Sequence, residues 1–206
     1  MAIEMRRAAV LALHWQVNVV RRDGYFGGML GEPVERSGVI GRAARFHEDA
    51  SRAGVPVYFT RFTIPEDEGE LVRNTAFMRA VADAQESFRP YAPGARIIDE
   101  MDHLAKAGNV VDNQKLSGLA GNDLAQRLRD EGVTTLFVTG VATNLTVEQT
   151  ARHATDLGFH VHPVTDCVTA ASEDVHLASL ANLDLATAGC LPADECMAAL
   201  VGEHRP

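Results

Sequence analysis

Gly140-Val141-Ala142-Thr143-Asn144-Leu145-Thr146-Val147 is the stretch on which the fold of this chain turns. Just before it, Thr134 to Thr139 is an apolar, β-branched run that predicts a buried strand closing on Gly140. Just after it, Thr143 or Asn144 caps a helix that reaches Leu157, with Gly158 beyond its end. A strand that passes straight into a helix leaves backbone N–H groups free at the positive end of the helix dipole. Such a corner can hold an oxyanion or lower the pKa of a nucleophile.

The same rhythm extends to both sides. Ala8-Ala9-Val10-Leu11-Ala12-Leu13 has no polar alternation, as expected of a central strand covered on both faces. Residues 34–53 have helical spacing and end at Gly54. Val55 to Thr60 reads as a second strand, with Pro56 near its beginning, where proline is tolerated. Asn109 to Asp112 is a short strand, Asn122 to Glu131 a helix ending at Gly132, and Phe159 to Val164 a further strand. Ser172 caps a helix over 173–185, Ala186 to Cys190 reads as a last strand, and a helix follows from Ala193 to Val201. Residues 61–108, with Glu66-Asp67-Glu68, a helix over 69–86 and the turn Arg89 to Gly94, read as a cap or loop excursion. Alternating strands and helices predict an α/β three-layer sandwich: a mostly parallel, Rossmann-like sheet of about six strands flanked by helices. With no linker or repeat, residues 1–206 form a single domain.

Bulk composition narrows the partners. The chain is 46% hydrophobic and 23% charged, enough apolar material for a sizeable core. A net charge of -9 argues against nucleic acid, whose phosphates need a basic face. Cys167, Cys190 and Cys196 form no CxxC pair, so neither a disulfide framework nor a zinc knuckle is indicated. The apolar run after Arg6-Arg7 is too short for a signal peptide, and no stretch reaches membrane-span length. The expectation is a cytoplasmic protein with no membrane partner.

The run GVATNLTVEQTARHATDLGF, residues 140–159, strongly resembles the signature of the isochorismatase-like cysteine hydrolases. The resemblance covers most of the chain. Val10 to Asn18 is similar to that family's opening strand, and Val110-Val111-Asp112-Asn113 to its third. Asp166-Cys167-Val168 and His176 to Leu180 match later segments. The resemblance implies an Asp base, a Lys and a Cys nucleophile acting on amides and related bonds, or the Asp without the Cys where a vinyl ether is cleaved. It also implies homodimers or homotetramers. Here the three matching positions hold His14, Asn113 and Thr146.

A threonine hydroxyl, unlike a thiolate, needs a partnered base. The expected site is therefore His14 as base for Thr146, with Asn113 orienting the imidazole, in the logic of a nucleophile–base–orienter triad. Ala142 and Thr143 at the turn supply oxyanion or binding groups. Gln16 lies beyond His14, Lys115 follows Asn113 by two residues, and Arg61 is placed to meet a carboxylate. Trp15, Phe26, Phe59, Phe62 and Phe88 are candidates for an apolar wall. Some relatives bind metal through Asp-x-His after the second strand, where this chain reads Thr60-Arg61-Phe62-Thr63-Ile64. His160 and His162 lack a close third ligand, so no metal or other cofactor is expected. The leading function is hydrolysis of a small molecule at an atypical His/Asn/Thr site. The alternatives are an inactive homologue that binds a small molecule or acts as a scaffold, and a lyase or isomerase using His14 as proton carrier.

Overall fold

In a computed structural model, which describes residues 2–201, the expected α/β sandwich is present. The expected domain of 1–206 thus includes Met1 and residues 202–206, which lie outside the described residues. The strands are β1 (Ile3–Glu4), β2 (Ala8–Leu13), β3 (Val57–Phe62), β4 (Val110–Asn113), β5 (Thr135–Val141), β6 (His160–Thr169) and β7 (Leu200–Val201). The helices are α1 (Val17–Val20), α2 (Glu32–Ser37), α3 (Val39–Arg52), α4 (Ala76–Asp83), α5 (Asp99–Asp102), α6 (Leu124–Asp130), α7 (Glu148–Asp156), α8 (Glu173–Ala186) and α9 (Ala193–Ala199).

Strands β4-β3-β2-β5-β6 form one parallel sheet, and β1 and β7 pair separately. Five strands rather than six make the sheet. The expected last strand fails because α8 runs on to Ala186, so that 186–190 only turns back. Leu191 then touches the sheet through a single bridge to Val164.

Strand β2 decides the layering. Its side chains alternate, so Ala8, Val10 and Ala12 enter a core with Val39, Ala43, Phe46 and Ala50 of α3. Ala9, Leu11 and Leu13 enter a second core with Leu124 and Leu128 of α6 and with Ala151 and Ala154 of α7. All six β2 residues are fully buried, which explains the run without polar interruption.

Other boundaries moved for local reasons. The helical pattern at 34–53 is broken at Gly38, whose φ of 66° is left-handed and separates α2 from α3. The helix expected over 69–86 shrinks to α4, because its N-cap is Thr75, whose Oγ1 accepts from Met78 N at 3.1 Å. The helix after β5 opens with a wide turn over Thr143–Val147, and the residue at its cap is Ala142 rather than Thr143 or Asn144. Ser172 caps α8 as expected, its Oγ accepting from Val175 N at 3.4 Å. Helix α9 stops at Ala199, where β7 begins. Part of the excursion has its own small core of Phe62, Ile64, Met78, Val81 and Phe88.

Two details of the sheet have measurable consequences. Gly140 (φ 145°) lies opposite Leu13, and a Cβ there would sit 2.5 Å from Leu13 O. Gly140→Ala should therefore lower the unfolding free energy by about 2 kcal/mol or more in urea titrations. His47 is wholly buried beneath the sheet, its Nε2 2.8 Å from Thr139 Oγ1, and desolvation holds its pKa at about 3, against 6.5 ordinarily. A depressed folded pKa means the unfolded chain binds the extra proton. The contribution is complete above pH 6.5 and is lost as pH falls toward about 3. Unfolding free energy should thus fall by about 2–3 kcal/mol from this group between about pH 7.5 and about pH 4.5. His47→Gln should flatten that acid slope. An unchanged slope would show that His47 contributes nothing to it.

Candidate functional site

The sheet order reverses between β2 and β5, since β3 and β4 extend to one side of β2 and β5 and β6 to the other. Crevices in open parallel sheets form beyond the carboxyl ends of the strands at such a point. Here the two ends deliver His14 and Ala142, and a pocket opens between them. It spans ≈ 470 Å³ with its mouth included, and is lined by His14, Phe26, Phe62, Phe77, Leu145 and Thr146 among others. Every lining residue except His14 and Thr146 is apolar.

His14 has a left-handed backbone, φ 55°, which turns the chain sharply after β2, and its N–H donates to Thr60 O at 3.0 Å. The side chain is 6% exposed and meets the Phe62 ring edge-on at 6.2 Å. Desolvation lowers its pKa to about 4, partly offset by hydrogen bonding to the Asn113 side chain. The imidazole is therefore neutral at physiological pH.

Asn113, the last residue of β4, is fully buried. Its Nδ2 donates to Lys115 O at 2.8 Å and to Ser117 O at 2.9 Å. Thr146 is 2% exposed and its Oγ1 donates to Leu116 O at 2.8 Å. Three consecutive carbonyls, of Lys115, Leu116 and Ser117, thus bracket Asn113 and Thr146 together beside His14. His14 and Thr146 line the pocket while Asn113 is buried behind that lining, and the threonine proton goes to a backbone carbonyl and not to the imidazole. The Val141–Ala142 peptide at the turn is cis.

The other expected site residues divide. Ala142 lines the pocket. Thr143 is buried behind it, its Oγ1 2.9 Å from His176 Nδ1. Gln16 is a structural tie: its Nε2 donates to Phe62 O and Ala95 O, and its Oε1 accepts from Phe62 N at 2.7 Å. Arg61 is clamped by Asp112, its partner across β3 and β4, through Nε–Oδ1 at 2.7 Å and Nη2–Oδ2 at 2.8 Å. Lys115 lies 3.9 Å from Glu70 and lines a separate polar groove with Ser117, Arg152 and His153. The two candidate cations thus stand outside the pocket.

Of the aromatic residues, Phe26 and Phe62 form its wall, while Trp15, Phe59 and Phe88 are core. Sequence reasoning missed Phe77 and Val81 of α4, Val19 of α1, and Met29 and Leu30. Phe26 and Phe77 stack at 5.6 Å with an 8° interplanar angle, an aromatic pairing that no local pattern announces. The cysteines stand elsewhere. Burial raises Cys190 to about 11 and Cys196 to about 12, and pushes Cys167 higher still, so all three are inert thiols at neutral pH. No cluster of three His, Cys, Asp or Glu side chains suited to a metal occurs among the described residues, and His162 instead donates through Nδ1 to Gly189 O at 2.8 Å.

The comparisons bear on the family and the fold. A family model described as the isochorismatase domain matches residues 8–195. Nicotinamidase 3 of Arabidopsis thaliana is 31% identical over 157 residues, which cover 73% of this chain and 74% of that protein. Among solved structures, a cysteine hydrolase from Pseudomonas syringae has a TM-score of 0.80 at 20% identity, covering 97% of this chain and 94% of its own. A pyrazinamidase/nicotinamidase from Streptococcus mutans has a TM-score of 0.74 at 22% identity, covering 89% and 99%. At these identities the structures speak for the fold alone, while the domain match and the plant relative establish kinship. The chain belongs to the isochorismatase family of hydrolases.

Proposed function

We propose that the chain hydrolyses a small, uncharged, largely apolar carbonyl compound, an amide or a related acyl derivative, with His14 as the general base for the attacking water. The observation that carries this reading is that His14 is, among the described residues, the only titratable group lining a pocket whose other lining, Thr146 aside, is apolar. A charged substrate would enter without a counter-ion, since Arg61 and Lys115 face acidic partners outside the pocket.

His14 takes a proton from water as the water oxygen bonds to the carbonyl carbon. Negative charge collects on the carbonyl oxygen near the turn at Ala142–Thr146, where N–H groups at a helix start favour it. The imidazolium then returns its proton to the leaving nitrogen or oxygen, and the bond to carbon breaks. A pKa of about 4 makes His14 a weak base but a strong acid, which suits the second transfer. Thr146 serves here as a fixed hydroxyl and not as a nucleophile, because its proton is held by Leu116 O.

A second reading, a binding protein without turnover, is favoured by that same hydroxyl bond and by the weak basicity of His14. A panel of neutral aryl esters and amides separates the two. Turnover should fall by about 10²–10⁴ in kcat/KM in His14→Ala. Saturable binding without turnover would favour the second reading. Lys115→Ala should change kcat/KM by less than about threefold, since an exposed ion pair contributes little. An acyl adduct on Thr146 in intact-mass spectra would replace the water route with a covalent one. The base works deprotonated, so kcat/KM should rise as His14 loses its proton near pH 4 and stay level across neutrality.

A further inference from the structure

We infer that Asn113 is a positioning residue that fixes the tautomer of His14, holding the hydrogen on Nε2 and leaving the lone pair on Nδ1. Asparagine offers two donors on one side of its amide and an acceptor on the other. Both donors of Asn113 are committed, to Lys115 O at 2.8 Å and Ser117 O at 2.9 Å. Those two carbonyls leave the amide one orientation, because a flip would set Oδ1 against both oxygens.

The consequence falls on the imidazole. Asn113 Oδ1 and His14 Nε2 are each sealed from solvent, and neither meets a partner at ordinary hydrogen-bond geometry among the described residues, which leaves an open acceptor and an open ring nitrogen as complements of one another. Hydrogen bonding from the Asn113 side chain also stabilises the charged imidazole, as an acceptor oxygen facing a ring N–H does. With the hydrogen on Nδ1, two buried lone pairs would face one another without a proton between them. With it on Nε2, the ring N–H and Asn113 Oδ1 are complementary, and a small closure between them satisfies both buried atoms. The bracket formed by residues 115–117 thereby sets the protonation of a group on another strand. The loop carbonyls orient the amide, and the amide orients the ring.

Phe62 reinforces the arrangement, since its edge-on contact at 6.2 Å restrains the imidazole plane. Only a neutral acceptor can do this in a site that keeps His14 uncharged. A carboxylate at position 113 would hold the ring equally well but would draw a proton onto it.

The inference rests on His14 as the working group of the pocket, yet it is read without substrate. Long-range proton–nitrogen correlation spectra of the nitrogen-labelled protein distinguish the two neutral tautomers and the cation, and His14→Gln assigns the signal by removing it. The expected result is a neutral ring protonated at Nε2 throughout the range from about pH 6 to about pH 8. Asn113→Ala should give a mixture of tautomers. Asn113→Asp should raise the His14 pKa by more than about one unit, so that the ring titrates closer to neutrality. Wild-type His14 protonated at Nδ1, or a tautomer ratio unmoved in folded Asn113→Ala, would overturn the inference. Should Asn113→Ala fail to fold, the wild-type spectrum and Asn113→Asp still decide it. Absence of turnover with the Nε2 tautomer present would sink the hydrolytic reading while leaving this one standing.

Discussion

Everything at the site depends on how closely β2 and β5 approach at their carboxyl ends. Leu13 lies opposite Gly140, and no side chain fits between them, because a Cβ on Gly140 would overlap Leu13 O. That contact brings the residues just beyond each strand to one crevice: His14 turns away at positive φ, and Ala142 opens the wide turn into α7. Ordinary strand spacing would leave the same residues attached to the same strands, but a side chain wedged at position 140 would displace one crevice wall. The glycine is therefore a structural requirement of the site and not a flexible joint.

The resemblance leads one to expect three reactive groups, namely a carboxylate, an ammonium and a thiol. This chain has three uncharged ones in the same places. The difference is consistent with the surroundings. A lone carboxylate or ammonium in so apolar a pocket is expensive to bury. A neutral imidazole, a carboxamide and a hydroxyl are buried at low cost provided their hydrogen bonds are made, and the Lys115–Ser117 carbonyls make most of them. The pocket is thus internally coherent without charge. Restoring a cysteine at position 146 alone would bring back a nucleophile without the ionic partners that activate one.

The fold was largely legible because burial on both faces leaves a plain mark. Ala8–Leu13 reads as a central strand for the reason that all six side chains are enclosed, and the strand-to-helix corner at 140–147 reads from its glycine and polar cap residues. Helix ends were less legible, since a cap such as Thr75 or a left-handed Gly38 resets a boundary that periodicity alone extends. His14, Asn113 and Thr146 could be brought to one place from the strand order implied by resemblance. Their hydrogen bonds could not, because carbonyls carry no sequence signal. Lys115 shows the limit of alternation: β4 ends at Asn113 and the chain bends, so two residues on is no longer the same face.

Much of the pocket wall was illegible, and its floor was not, because most of the wall comes from short segments before and after β3 rather than from sheet strands. Floor residues sit at the ends of sheet strands, whose placement follows from topology. Wall residues come from α1, from the segment around Phe26 to Leu30, and from α4, short pieces that hold position only by packing on each other. Phe26 stacks on Phe77 and tilts against Phe88, and Phe88 meets Phe62 of the sheet at 5.5 Å. This aromatic chain ties a loop-borne wall to a strand-borne floor. Pocket shape is set by contacts between the segment of residues 17–30 and the excursion. The strand ends that carry His14 and Asn113 are built separately by the sheet, so wall and floor can change independently.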